Sequence, residues 1–343
     1  MSKSKLQTVA TLGICLLALA LPCLAISKER FASSELRAQF ALPESRVDLA
    51  QAKLTIDQII DPSINREATL HEVDALIKSV RERIRPAASK RDQMDVLLET
   101  LYKPGPWNGN RPFSYDLSDP MGRNAHNKLL STYLASRKGN CVSMPILLAI
   151  MAQRLGLTAT LATAPEHLFV QFVNDQSMWM NVEATAGGYK QVSSYVRETG
   201  ISETALKNEI YLRPLSPREA LGAMSASLME HYAAQRDGEA LLVIANMALT
   251  ANPKDTVAMV HKANANYLLL EARFTKKYLR AADIPKDQRE DFKALGRENL
   301  AWFAKAEQLG WSQPSEEKDD DYLKSVEQEK SKRSQGQAAK SNP

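Results

Sequence analysis

Cysteine is scarce in this chain: of 343 residues only Cys15, Cys23 and Cys141 are cysteine. Two of these fall in an N-terminal segment with the layout of a secretory signal. Lys3 and Lys5 make a basic start, Val9 to Leu21 is almost wholly apolar, and Cys23-Leu24-Ala25 presents small residues at the positions a signal peptidase inspects. Cleavage after Ala25 leaves Cys141 alone, which excludes an internal disulfide in the exported chain. Lipid attachment is disfavoured because Pro22 and Ile14, neither of them small, precede the two early cysteines. The apolar stretch is shorter than the roughly 20 residues a membrane span needs. A membrane role therefore arises only if the segment stays uncleaved.

Other things are missing too. No stripe of Lys and Arg appears, and the formal charge of +4 comes from both signs spread along the chain, so nucleic acid is not the expected partner. No second Cys or His stands at short ligand spacing from Cys141. A zinc site of one Cys, one His and one Glu is the poorer alternative, and neither a metal nor a cofactor is expected. Apolar residues make up 44% of the chain, enough to bury a core.

The remaining pattern divides the chain. Residues 26–47 read as a flexible leader. Helical periodicity follows in Leu49–Ile60, Glu67–Ile84 and about Lys90–Tyr102, with Asp61-Pro62 and Pro86 as stops. Lys103 to Asn110 is dense in turn formers and reads as a loop. A helix over about 124–136 leads to Arg137-Lys138-Gly139-Asn140-Cys141. From Val142 to Leu155 the residues are apolar nearly all round, as in a helix buried on most sides. Strands are expected at about 158–163, 167–173 and 178–184. Amphipathic helices are expected at about 219–234, 238–250 and 256–271, within a helical region of 216–312. The charged, Ser- and Gln-rich residues 313–343 read as a disordered tail.

Thiol chemistry needs a thiolate, a base that forms it and a group that orients the base. Cys141 stands at the start of the buried helix, where free N–H groups and the positive helix end favour a thiolate and can hold an oxyanion. Five histidines compete for the base. His71, His231 and His261 lie on ordinary helix faces, His126 lies close upstream of Cys141, and His167 opens the strand after the cysteine helix. Strand register adds a partner. If Leu168, Val170 and Phe172 oppose Val182, Met180 and Met178 to bury one face, His167 opposes Glu183 on the other face. That register also requires an odd number of residues in the connecting loop. Asn181 on the same face is the rival orienting group. Asn140 is a candidate oxyanion group, and Trp179 and Trp107 are candidate pocket walls.

These segments resemble the transglutaminase-like superfamily. The run Arg137 to Cys141 into a helix ending Arg154-Leu155-Gly156-Leu157 resembles its cysteine segment. Ala164-Pro165-Glu166-His167-Leu168-Phe169-Val170 resembles its histidine strand, and Trp179-Met180-Asn181-Val182-Glu183-Ala184-Thr185 the strand carrying its acid, usually Asp. Glu183 departs from that pattern by one methylene. The helical lead-in, the Trp107-Asn108-Gly109-Asn110 loop and the helical C-terminus resemble the SirB-type branch, in which many members lack the cysteine that is kept here. Helix pairs split by Ala251-Asn252-Pro253-Lys254 are similar to tetratricopeptide repeats.

The resemblance implies an α+β papain-like fold: a buried Cys-bearing helix on a small antiparallel sheet over residues 48–215, with a helical lead-in and an all-α C-terminal region. It implies an exported, periplasmic cysteine enzyme acting on amide bonds of a protein or peptide through Cys141, His167 and Glu183, by hydrolysis sooner than transamidation. The alternative is a non-catalytic scaffold that grips a protein or peptide through its C-terminal helices.

Overall fold

The computed structural model describes residues 34–314 and, further on, residues 320, 322–324, 326–328, 330 and 331. The segment 1–25, expected to be a secretory signal, lies outside the described residues. Helix α1 covers residues 34–41. It is followed by α2 (Leu49–Ile60), α3 (Arg66–Arg83) and α4 (Lys90–Tyr102), each begun by a side chain that accepts orphan amides: Asp48, Asn65 and Ser89. Within the leader expected over 26–47, residues 34–41 are helical and packed on the body of the chain, and 26–33 lie outside the described residues. Leu36 is fully buried. Glu35 pairs with Arg66 at 2.8 Å, and Glu44 accepts from the Arg218 amide at 2.9 Å. The partners that fix this segment lie far away in sequence, so its polar composition hid them.

Strand β1 (Ser114–Tyr115) pairs in parallel with β2 (Lys138–Gly139), placing Tyr115 beside Gly139. The helix expected over 124–136 is shorter. It becomes a 3₁₀ turn at Ala125–Lys128 and then α5 (Leu130–Ser136), because the Leu130 amide is taken by Asp57 at 2.8 Å. Asp57 and Lys53 form a fully buried ion pair.

Helix α6 (Ser143–Arg154) is the centre of the molecule, with every residue from Ser143 to Ala152 buried. It packs on an antiparallel four-stranded sheet of order β3 (Ala159–Ala164), β4 (His167–Val173), β5 (Trp179–Glu183) and β6 (Gly188–Tyr189). One sheet face, with Leu161, Val170, Phe172 and Val182, joins the core around α6. The other face, with Ala162, Ala164 and Phe169, packs on Tyr195, Ile201, Ala205, Ile210 and Tyr211 from α7 (Val192–Thr199), α8 (Glu203–Lys207) and the segment after them. Because both faces are covered, β4 is apolar at Leu168, Phe169, Val170, Phe172 and Val173, on both sides of the sheet.

The β4–β5 register corrects the expected one. Phe172 faces Met180 and Val170 faces Val182, a slip of two residues. The turn decides this. Asn174 Oδ1 accepts from the amides of Gln176 and Met178, both at 3.0 Å, and the Asn174 amide donates to the Met178 carbonyl at 3.0 Å. Met178 and Trp179 are left 58% and 44% exposed, so burial of Met178 does not set the pairing. A slip of two keeps every side chain on its expected face.

The C-terminal helices are α9 (Pro217–Met224), α10 (Ala226–Ala234), α11 (Gly238–Ala251), α12 (Thr256–Leu270) and α13 (Arg289–Gln308). The single helix expected over 219–234 breaks at Ser225, whose hydroxyl bonds back to the Leu221 carbonyl at 2.9 Å. The core around α6 runs on through Leu221, Leu228, Leu241, Ile244 and Leu268, so the boundary expected at residue 216 is not a break between cores. Of the tail expected to be disordered over 313–343, the described residues between 320 and 331 are helical, and 315–319 and 332–343 lie outside the described residues. Tyr322 and, one helical turn on, Val326 hold this charged segment down, and Val326 is only 5% exposed.

Candidate active site

Cys141 sits in the turn between β2 and α6, two residues before the first helical position. Arg137 closes α5 in the left-handed conformation (φ 57°), and its guanidinium donates to the carbonyls of Asn108, at 2.8 Å, and Arg111. The Trp107–Asn110 loop is thereby tied to the approach of the cysteine turn. Gly139 is required by close packing. A Cβ there would lie 2.5 Å from the buried Tyr133 ring and 2.7 Å from Ser143 Oγ. Asn140 caps the helix: its Oδ1 accepts from the amides of Val142 at 2.9 Å and Ser143 at 3.0 Å. Those two amides are thus occupied, and the Cys141 amide is the helix-start donor that Asn140 does not take. Asn140 Nδ2 is buried against Gly122 and has no partner among the described residues.

The β3–β4 hairpin brings the histidine to this turn. Pro165 and Glu166 form its two-residue loop, with Glu166 left-handed at φ 54°. The Cys141 thiol donates to the Glu166 carbonyl at 3.8 Å, and the next residue, His167, is near enough for Cys141 to raise its pKa. Across the sheet, His167 Nε2 lies 2.7 Å from Glu183 Oε2. Continuing the observed register, the two residues are diagonal neighbours on one face, and diagonal pairs stay within reach of long side chains.

Glu183 is 3% exposed and accepts on both oxygens. Oε2 receives His167 and the Tyr195 hydroxyl at 2.9 Å, while Oε1 receives the Thr185 hydroxyl at 2.6 Å and its amide at 3.1 Å. Burial alone would raise the carboxyl pKa. The His167 hydrogen bond and charge, with the Thr185 donors, override it and bring Glu183 down to about 2. Burial likewise works against the imidazolium, but the hydrogen bonds to Cys141 and Glu183 and their charges push His167 up to about 9. An ionised carboxylate only accepts, so His167 Nε2 carries a hydrogen and Nδ1 is left for the sulfur.

Residues 67–226 match the family model of the transglutaminase-like superfamily. No curated protein and no solved structure matches the chain. The matched stretch holds Cys141, His167 and Glu183, and the molecule has a transglutaminase-like core with a helical C-terminal region.

Within this transglutaminase-like core the other expected site residues stand apart. Asn181 bonds Gln171 at 2.8 Å and the Lys190 carbonyl at 3.2 Å. Trp179 lies at the far end of β5 from Glu183, opposite Val173. Trp107 packs under the Arg83 guanidinium, 3.7 Å from its ring centroid. His71 and His126 are exposed, His231 bonds Gln235 on its own helix, and His261 lies towards Glu230 and Lys128. Among the described residues no group of three His, Cys, Asp or Glu side chains is arranged to hold a metal ion.

Tyr195 and Thr185 were not singled out from the sequence. Thr185 had a local signal, two residues past Glu183, but Tyr195 reaches the carboxylate only because α7 folds back over the sheet. Its ring stacks on Phe169 with centroids 4.3 Å apart and is fully buried. Tyr195→Phe keeps that stack and removes one charged hydrogen bond. The expected loss is about 1.5–3 kcal/mol of stability in urea unfolding, with the alkaline limb of any His167-dependent rate unmoved within a few tenths of a pH unit. A stability equal to wild type would show that this hydroxyl does not hold the carboxylate.

Proposed function

We propose that the protein is an exported transglutaminase-like cysteine enzyme that cleaves amide bonds through a Cys141–His167–Glu183 triad. The observation carrying this is that the β3–β4 hairpin, whose Glu166 carbonyl accepts from the Cys141 thiol, presents the adjacent His167 with its Nε2 on a fully hydrogen-bonded buried carboxylate. The Cys141 thiol gives its proton to His167 Nδ1 as the sulfur attacks the amide carbonyl carbon, the carbonyl oxygen becomes the oxyanion, and the Cys141 amide is the donor placed to hold it. His167 then gives its Nδ1 proton to the leaving amine as the C–N bond breaks, which leaves an acyl thioester. A water, deprotonated by His167, attacks the thioester, and the acid and the free thiol are released. Hydrolysis is favoured over transfer to an amine because water needs no second pocket. The finer placement, in the SirB-type branch with a tetratricopeptide-like C-terminal region, is part of this proposal. It is supported by the order of helical lead-in, Trp107–Asn110 loop, cysteine helix, histidine strand, acid strand and paired helices.

The test combines iodoacetamide labelling of Cys141 with a panel of amide and ester substrates. Cys141 is expected to label at neutral pH in the folded protein. Amide turnover is expected to fall above about pH 9, because His167, whose pKa is raised to about 9, then lacks the proton the leaving amine needs. A thiol inert at neutral pH in the native protein removes the catalytic reading.

A further inference from the structure

The C-terminal segment is anchored on both flanks of this site. On the histidine side, α13 ends with Leu309 and Trp311 packed on the cluster that contains Phe169 and Tyr195. Two hydrogen bonds of 3.1 Å hold that end: Ser202 Oγ to the Gly310 carbonyl, and Asn208 Nδ2 to the Leu309 carbonyl. On the cysteine side, Tyr322 Oη lies 2.7 Å from Tyr115 Oη and donates to the Pro120 carbonyl at 3.3 Å. Tyr115 itself donates to the same carbonyl at 2.8 Å.

This second anchor is next to the nucleophile. Tyr115 pairs with Gly139 across β1–β2, the Asp116 amide donates to the Gly139 carbonyl at 2.7 Å, and Gly122 abuts Asn140. Residues 115–122 therefore form the rim of the cysteine turn. Burial, the Tyr322 hydrogen bond and the nearby Cys141 charge all push the Tyr115 phenol up, and the same charge acts on Tyr322.

We infer that the Tyr115–Pro120 rim is a polypeptide-docking surface, occupied in this structure by the chain's own C-terminal segment through Tyr322. The rim offers a backbone carbonyl and a hydroxyl to a phenolic side chain. Val326, one turn beyond Tyr322, is buried, so the segment itself is packed down at this end. A polypeptide substrate reaching Cys141 meets the segment at this rim and competes with it. The inference rests on the proposed activity only in taking the rim as a substrate entrance.

The experiment uses the full chain with Tyr322→Ala or Val326→Asp. Both positions lie outside the core around α6, so neither substitution threatens the fold. The rate of iodoacetamide labelling of Cys141 at neutral pH is expected to rise about fivefold or more in each, the factor for losing one or two modest contacts that hold a closed state. KM for a polypeptide substrate is expected to fall with kcat unchanged. Equal labelling in wild type and both variants overturns the inference and, if wild type turns over substrate, leaves the triad intact. Faster labelling with no turnover anywhere keeps the docking surface and removes the enzymatic reading. A thiol that labels in none of the proteins overturns both.

Discussion

Cys141→Ala is expected to lower turnover by about a millionfold, to the residue of activity that binding and an oxyanion site supply alone. The size follows from the step lost. Without the sulfur no acyl thioester forms, and His167 and Glu183 have no proton to move. The same substitution is expected to leave the fold intact. The thiol is partly exposed, its hydrogen bond to the Glu166 carbonyl is long at 3.8 Å, and the turn is held by Asn140, Gly139 and Arg137. Stability in urea is therefore expected to change by less than about 1 kcal/mol. Turnover should be measured on the amide substrate that wild type cleaves best. Retention of even a hundredth of the activity in Cys141→Ala would place the nucleophile elsewhere.

The site was legible in the sequence to the extent that local pattern determines it. The nearly all-round apolar pattern after Cys141 is that of a buried helix. Strand alternation put His167 and Glu183 on one face, and that survived a register slip of two because parity is all that faces depend on. What alternation could not supply was the pairing itself. Asn174 sets it through its own turn, while Met178 stays exposed. Tyr195 was invisible for a different reason. Nothing local to α7 points at a carboxylate on β5, and only packing against Phe169 brings the hydroxyl there.

The misread ends of the chain have the same origin. Residues from 34 onward look polar, yet Leu36 fills the core and Glu35 finds Arg66. The segment around Tyr322 looks like a solvated tail because composition averages away the two residues that dock it. In both cases a few contacts distant in sequence order a stretch whose average argues for disorder. Composition reports the bulk of a segment, and order here depends on single anchors.

Glu183→Gln is expected to lower turnover by about a thousandfold or more while keeping the shape of the site. The carboxylate does two things for His167. It accepts the Nε2 hydrogen at 2.7 Å, which leaves Nδ1 towards Cys141, and its charge holds the imidazolium. An amide in its place accepts more weakly and carries no charge, so burial acts on His167 with less to oppose it. The alkaline limb of turnover is then expected to move from about pH 9 to well below it. That shift separates loss of the charge from simple loss of packing, which would lower the rate without moving the limb. Glu183→Asp keeps the charge on a shorter arm, and it is expected to keep the limb near pH 9 while losing part of the rate.

Stability supplies the second readout. Glu183 falls from an ordinary 4.5 to about 2 on folding, so it stabilises the native state above about pH 4.5, and this contribution is lost as pH falls through about 2. The matching shift on His167, from 6.5 to about 9, is present below about pH 6.5 and is lost as pH rises through about 9. Both shifts describe one ion pair, counted once as on the order of 3 kcal/mol. Wild type is therefore expected to gain stability between about pH 2 and 4.5 and to lose it between about pH 6.5 and 9 relative to Glu183→Gln. Urea unfolding of the two proteins at matched pH measures that difference. Parallel curves across the whole range would mean that the carboxylate is protonated or solvated in the native protein, and the orienting role would fall with it.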